Sequence, residues 1–143
     1  MTVLYVVDTN IVVSALLSAR ADAPPVLILE RMLKGELRYL ISTELLAEYR
    51  AVLLRPRLRA KHGLNESEVD ALLIEIAANG THREPESRPY SPDPKDAHLL
   101  ALLESEPRAV LVSGDELTLS AVTPPERAMR ARELAEQLLE PKP

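Results

Sequence analysis

No cysteine occurs among the 143 residues. Disulfides, thiol catalysis and zinc–sulfur sites are therefore excluded, and a reducing, cytoplasmic setting is the expectation. Tryptophan and phenylalanine are also absent, and only four tyrosines are present. A platform that stacks successive bases has little to be built from. No apolar run approaches the roughly 20 residues that cross a bilayer. The N-terminal apolar run breaks at Asp8 and has no basic leader, so neither a membrane span nor a signal peptide is expected. Positive charge is scarce as well: 17 basic against 22 acidic residues, a net charge of −5. A module that binds nucleic acid by charge alone is usually basic, which argues against one here. The balance leaves room for an enzyme whose clustered carboxylates hold divalent ions. Apolar residues make up 46% of the chain, enough for one domain over residues 1–143 with a real core.

The chain is organised around its first ten residues. Val3-Leu4-Tyr5-Val6-Val7 is unbroken and apolar, and it stops at Asp8-Thr9-Asn10. Such runs are strands buried on both faces of a parallel sheet. After Asn10 the spacing of Ile11, Val12, Ala15 and Leu16 becomes helical. The reading is a strand Thr2 to Val7, a helix Asn10 to Ser18, and a helix opened by Pro24-Pro25 and closed by Gly35. A second strand follows over Leu37 to Ile41, then a helix over 43–54 capped by Ser42 or Thr43. Pro56 marks a break before Arg57 to His62, and Asn65 caps a helix over Glu66 to Ala78. Glu84 to Pro94 is proline-rich and without periodicity, so it reads as a surface loop. Asp93-Pro94 opens a leucine-rich helix. Ala109 to Val112 is a buried strand, Ala128 to Ala131 an edge strand and Glu133 to Leu139 a last helix. Alternating strands and helices imply parallel pairing with right-handed crossovers. The expected fold is α/β: a three-layer α/β/α sandwich around a parallel sheet of about four or five strands.

Two apolar strands end in an acid, at Asp8 and at Asp115, and parallel pairing puts both on one edge of the sheet. Ligands bind at that edge in open α/β sheets. Either Asp can also cap the helix that follows it. Glu48 has Leu45 and Val52 as its helical neighbours, so it lies on the core-facing side; Arg50 or Arg55 can pair with it there. Asp96 heads the stripe of Leu99, Leu100 and Leu103. Asp93 precedes Pro94 and reads as an N-cap, with Asp96 three residues on as in a capping box. Four acids at helix starts converge at one end of a parallel sheet, and they repel one another unless cations are present. Oxygen ligands without cysteine or a histidine pair select Mg²⁺ or Mn²⁺ over Zn²⁺.

These segments resemble PIN-domain proteins: Val6-Val7-Asp8-Thr9-Asn10, Ser42-Thr43-Glu44-Leu45-Leu46-Ala47-Glu48, Asp93-Pro94-Lys95-Asp96 and Ser113-Gly114-Asp115-Glu116-Leu117. Within that family the chain is most similar to toxin components of toxin–antitoxin systems, such as VapC ribonucleases. The set in order, rather than the Asp-Thr-Asn triplet, carries the resemblance. It implies an endoribonuclease using Mg²⁺ or Mn²⁺, one or two ions, with metal-activated water attacking in line with the leaving oxygen. The acidic quartet maps onto Asp8, Glu48, Asp96 and Asp115. Thr9, Asn10 and Ser113 are implied supporting positions that orient carboxylates or water. Asp93 stands between a ligand and a helix cap. An RNA substrate, a cognate antitoxin protein and a homodimer are the implied partners.

Arg50, Arg55, Arg57, Arg59 and Lys61 form a basic segment on an acidic chain. It reads as an RNA-backbone rail or as a solvated face. His98 is two residues from Asp96 on a predicted helix, so it is expected to point away from the acids. An alternative function is a PIN-like RNA- or protein-binding scaffold without catalysis, against which the complete quartet argues. A phosphoacceptor domain of the receiver type also ends a strand in Asp, but no acidic pair follows the first strand here.

Overall fold

In the first strand, β1 (Leu4–Val7), Val6 and Val7 are 0% and 1% exposed although neighbouring strand residues face opposite ways. Both faces of the sheet are therefore covered. A computed structural model describes residues 2–86 and 88–140. β1 leads into α1 (Thr9–Leu17) and α2 (Pro24–Leu33), whose prolines occupy the first turn. Then come β2 (Leu40–Ile41), α3 (Thr43–Leu53), α4 (Pro56–His62), α5 (Glu66–Asn79) and β3 (Thr81–His82). A 3₁₀ turn over Pro94–Asp96 precedes α6 (Ala97–Ser105) and β4 (Ala109–Val112). The chain continues through α7 (Glu116–Ser120), a 3₁₀ turn at Pro125–Arg127, β5 (Ala128–Met129) and α8 (Ala131–Leu139).

All strand pairings are parallel. β1 pairs with β4 from Leu4↔Ala109 to Val7↔Val112, and β4 pairs with β5. β2 pairs with β3, and a parallel bridge between Tyr5 and Tyr39 joins this ladder to β1. The spatial order is thus β3-β2-β1-β4-β5, in an α/β arrangement consistent with a three-layer sandwich. The chain runs outward from β1 to β2 and β3, then returns to the other side of β1 as β4. That reversal makes the gap between the C-terminal ends of β1 and β4 the crevice where such sheets bind ligands.

Several boundaries differ from the sequence reading. The second strand was expected over Leu37 to Ile41, but only Leu40–Ile41 forms a ladder. β3 is short and exposed, so it carries no apolar signal; it forms because Thr81 and Arg83 N–H groups reach the Tyr39 and Ile41 carbonyls at 2.8 Å each. Arg57 to His62 belongs to the roughly two-turn helix α4, held to α3 by the His62 ring against the Leu53 carbonyl at 2.8 Å. Ala131 begins α8 instead of closing the edge strand. In the expected loop Glu84 to Pro94, where Ser87 lies outside the described residues, Glu84 accepts from the Thr43 N–H and hydroxyl, both at 2.7 Å. The loop thus straps the start of α3.

One apolar cluster joins β1, β2 and β4 to the helices, with Tyr39, Tyr49, Leu99, Leu102 and Leu111 fully buried in it. Both buried tyrosines find backbone acceptors: Tyr39 at the Ile76 carbonyl (2.6 Å) and Tyr49 at the Val7 carbonyl (2.5 Å). The Tyr49 bond pins α3 to the end of β1. Gly80, between α5 and β3, has no room for a side chain, since a Cβ there would lie 2.6 Å from the Tyr39 ring.

Candidate active site

Asp8 follows β1, and its Oδ1 accepts the Thr9 N–H at 2.8 Å, capping α1. Its Oδ2 accepts the Ser113 hydroxyl at 2.7 Å and the Asn10 amide at 3.3 Å. The Asn10 amide also reaches Ser113 Oγ at 3.3 Å, and Asn10 Oδ1 accepts the Gly114 N–H at 3.0 Å. Ser113 Oγ in turn accepts the Asp115 N–H at 3.0 Å. This lattice ties the ends of β1 and β4 together and sets Asp8 beside Asp115. Asp115 caps α7 through the Leu117 N–H at 3.0 Å. Capping and facing the crevice are therefore compatible for both residues.

Glu48 comes from α3, next to Tyr49, so the Tyr49–Val7 bond sets its height above β1. The Thr9 hydroxyl donates to Glu48 Oε2, and the His98 ring lies 3.3 Å from Oε1. Neither arginine offered by the sequence is the partner found here. Arg50 bonds Asp70 and Glu66, at 2.7 Å each, which also removes it from the open basic segment. Asp96 ends the 3₁₀ turn and accepts the Thr118 hydroxyl at 2.8 Å. The expected capping box does not form: Asp93 accepts the Lys95 N–H at 3.0 Å, while Asp96 turns its side chain toward α7. Asp93 thus caps the 3₁₀ turn.

An open cleft of about 330 Å³ is lined by Asp8, Glu48, Asp96 and Asp115 with Thr9 and Asn10. All four acids of the quartet meet there, from four separate stretches of chain. Burial pushes the Asp8 carboxyl above the usual range; hydrogen bonds from Ser113 and Thr9 oppose this, and the charges of Glu48 and Asp96 add to it. Asp96 is also raised, by burial and by its neighbours Asp93, Asp115 and Glu48, against the Thr118 hydrogen bond. For Glu48, burial pushes upward too, but the hydrogen bonds from His98 and Thr9 together with the His98 charge outweigh it, so the carboxyl sits low.

Residues 4–117 match the sequence profile of the PIN domain. The chain belongs to the PIN-domain family. Comparison with curated proteins finds no match. PIN domains are typically nucleases, a class of hydrolases. In this PIN domain, two buried polar residues that bond to acids of the cleft escaped the sequence reading. Thr118 lies three residues after Asp115, on the same side of α7, and that spacing was its available signal. His98 was placed elsewhere by helical spacing from Asp96. The spacing fails because Asp96 belongs to the 3₁₀ turn and α6 begins one residue later.

Among the described residues, no three His, Asp or Glu side chains are grouped tightly enough to hold a metal ion as they lie. The donor chemistry fits one all the same. The cleft offers carboxylate, hydroxyl and amide oxygens, which suit Mg²⁺ or Mn²⁺. Carboxylates without a countercharge spread apart, and a divalent ion is what would draw them in. No helix among the described residues is long and apolar enough to cross a membrane.

Proposed function

We propose that this PIN domain is a Mg²⁺- or Mn²⁺-dependent endoribonuclease and the toxin of a toxin–antitoxin pair. The observation that carries the catalytic reading is the meeting of Asp8, Glu48, Asp96 and Asp115 in one cleft at the topological switch of the sheet. Asp8, Asp96 and Asp115, with Glu48, would hold the ion. When bound, such an ion offsets phosphate charge and makes water a better nucleophile at neutral pH.

The chain's own part is to fix the acids. Ser113 and Asn10 hold Asp8 through its Oδ2, leaving its Oδ1 on the Thr9 N–H. Thr118 holds Asp96, and Thr9 with His98 holds Glu48. The cations of α4 and its cap, Arg55, Arg57, Arg59 and Lys61, would bind the RNA backbone. In support, α4 packs against α1 and α3, the helices that supply Thr9, Asn10 and Glu48. The toxin role, a cognate antitoxin and a homodimer follow from the resemblance to toxin ribonucleases.

The decisive experiment incubates purified protein with RNA in EDTA, Mg²⁺ or Mn²⁺. Cleavage is expected only with the metals and is expected to vanish in Asp8→Asn with the fold retained. RNA binding without cleavage in either metal would leave the scaffold reading standing. Replacing Arg57, Arg59 and Lys61 with Glu is expected to weaken RNA binding and flatten its salt dependence. Expression alone is expected to arrest growth in wild type and not in Asp8→Asn.

A further inference from the structure

We infer that His98 is a positioning residue that clamps Glu48 in the arrangement a divalent ion requires. The inference rests on the metal-dependent reading above but is tested separately from it.

α6 is buried from Ala97 through Leu103, and every residue in that span except His98 is Ala or Leu. His98 itself is 5% exposed. A leucine at this position would meet its surroundings at no polar cost. The imidazole meets them badly. Its Nδ1 is buried and has no hydrogen-bond partner among the described residues. A buried polar nitrogen left without a partner lowers stability. Packing therefore gives no reason for a histidine here.

The other ring nitrogen gives one. His98 Nε2 lies 3.3 Å from Glu48 Oε1. An ionised carboxylate can only accept, so Nε2 carries the proton and donates. Glu48 is then held at both oxygens, by His98 on Oε1 and by the Thr9 hydroxyl on Oε2. The two clamps come from informative places. Thr9 follows Asp8 in sequence, and His98 is two residues after Asp96. Each donor thus ties Glu48, on α3, to the stretch that carries another acid of the cleft. Glu44, one turn earlier on the same helix, has no such clamp and instead pairs with Arg88 at the surface. The clamp keeps a long, flexible side chain in one rotamer against the repulsion of its neighbours, which is what tight coordination of a small ion demands.

The test uses the full chain with His98→Leu, which keeps volume and removes the donor, and His98→Gln, which returns an N–H donor. Thermal unfolding, Mn²⁺ titration by calorimetry, and kcat and KM for RNA are measured for each. For His98→Leu the expectation is a cooperative thermal transition that shows a folded protein, Mn²⁺ affinity about 10–100-fold weaker, and kcat reduced with KM kept. His98→Gln is expected to recover most of the Mn²⁺ affinity. The inference is overturned if folded His98→Leu binds Mn²⁺ like wild type or if His98→Gln recovers nothing. A wild type that binds Mn²⁺ in an Asp8-dependent way but cuts no RNA ends the nuclease reading alone, because the affinity comparison still decides the clamp. A wild type that binds no Mn²⁺ ends both.

Discussion

On the outer surface, several carboxylates have cations beside them. Asp22 pairs with Arg20, Glu30 with Lys34, Glu44 with Arg88 and Asp70 with Arg50. Hydrogen bonds from those cations hold all four carboxyls below their ordinary values. In the cleft, the partners are different in kind. Asp8 has Ser113, Asn10 and a backbone N–H; Asp96 has Thr118; Glu48 has Thr9 and His98. Among the described residues, none of these acids has an arginine or lysine ion pair, and Asp8 and Asp96 are pushed upward by burial first and then by neighbouring acids. Hydroxyls and amides orient a carboxylate without neutralising it. The chain thus spends its cations on the surface and leaves one concentrated deficit of positive charge, which a divalent ion would fill.

The strongest way to break this contrast is Asp8→Asn. RNA cleavage is expected to fall to background while thermal stability at neutral pH holds or rises. The sign follows from the raised carboxyl: the folded state prefers Asp8 protonated, so stability is lost as pH climbs from the ordinary value of 3.8 through the raised one. The variant's advantage in Tm should therefore be present at pH 7 and shrink as the pH falls toward 3.8. A clear loss of stability at pH 7 would show that the charge of Asp8 is already matched inside the fold.

Ser113→Ala comes next. It removes a donor to Asp8 and leaves the acid oriented only by Asn10 and Thr9. Metal affinity should drop about 10–100-fold. Because that hydrogen bond lowers the Asp8 carboxyl, the acid limb of the activity profile should also move to higher pH. Tyr49→Phe probes the brace beneath the cleft rather than its charge. Losing the bond to the Val7 carbonyl should cost about 1–3 kcal/mol, read as a lower urea midpoint at unchanged slope. The smallest effect belongs to the surface set. Asp70→Asn removes a lowered, exposed carboxyl whose contribution is present at neutral pH and lost as pH falls through its folded value. Solvent screens it, so Tm should move little and cleavage not at all. A change in cleavage would join the Arg50 pair to the site and dissolve the distinction.

Much of the candidate site was visible along the chain because strand ends and helix stripes are local signals. Val6-Val7-Asp8 and Leu111-Val112-Ser113-Gly114-Asp115 show buried strands stopping at acids, and parallel pairing does the rest. Glu48 was visible by its place among Leu45 and Val52. The partners of Glu48 were not. Arg50 or Arg55 was one possible partner, yet Arg50 reaches α5, and the donors arrive from residues 39 and 50 positions away. β3 was likewise invisible, since two exposed residues become a strand only beside β2.

By itself, the order of residues determined the alternating elements, the parallel sheet and the edge at which Asp8 and Asp115 stand, because burial and backbone preference act over a few neighbours. The tertiary structure alone decided which side chain answers each acid: Ser113 for Asp8, Thr118 for Asp96, Thr9 and His98 for Glu48. Those choices depend on how helices settle on the sheet, and a hydrogen bond spanning a few ångströms is too sensitive to that packing to be read from spacing along the chain.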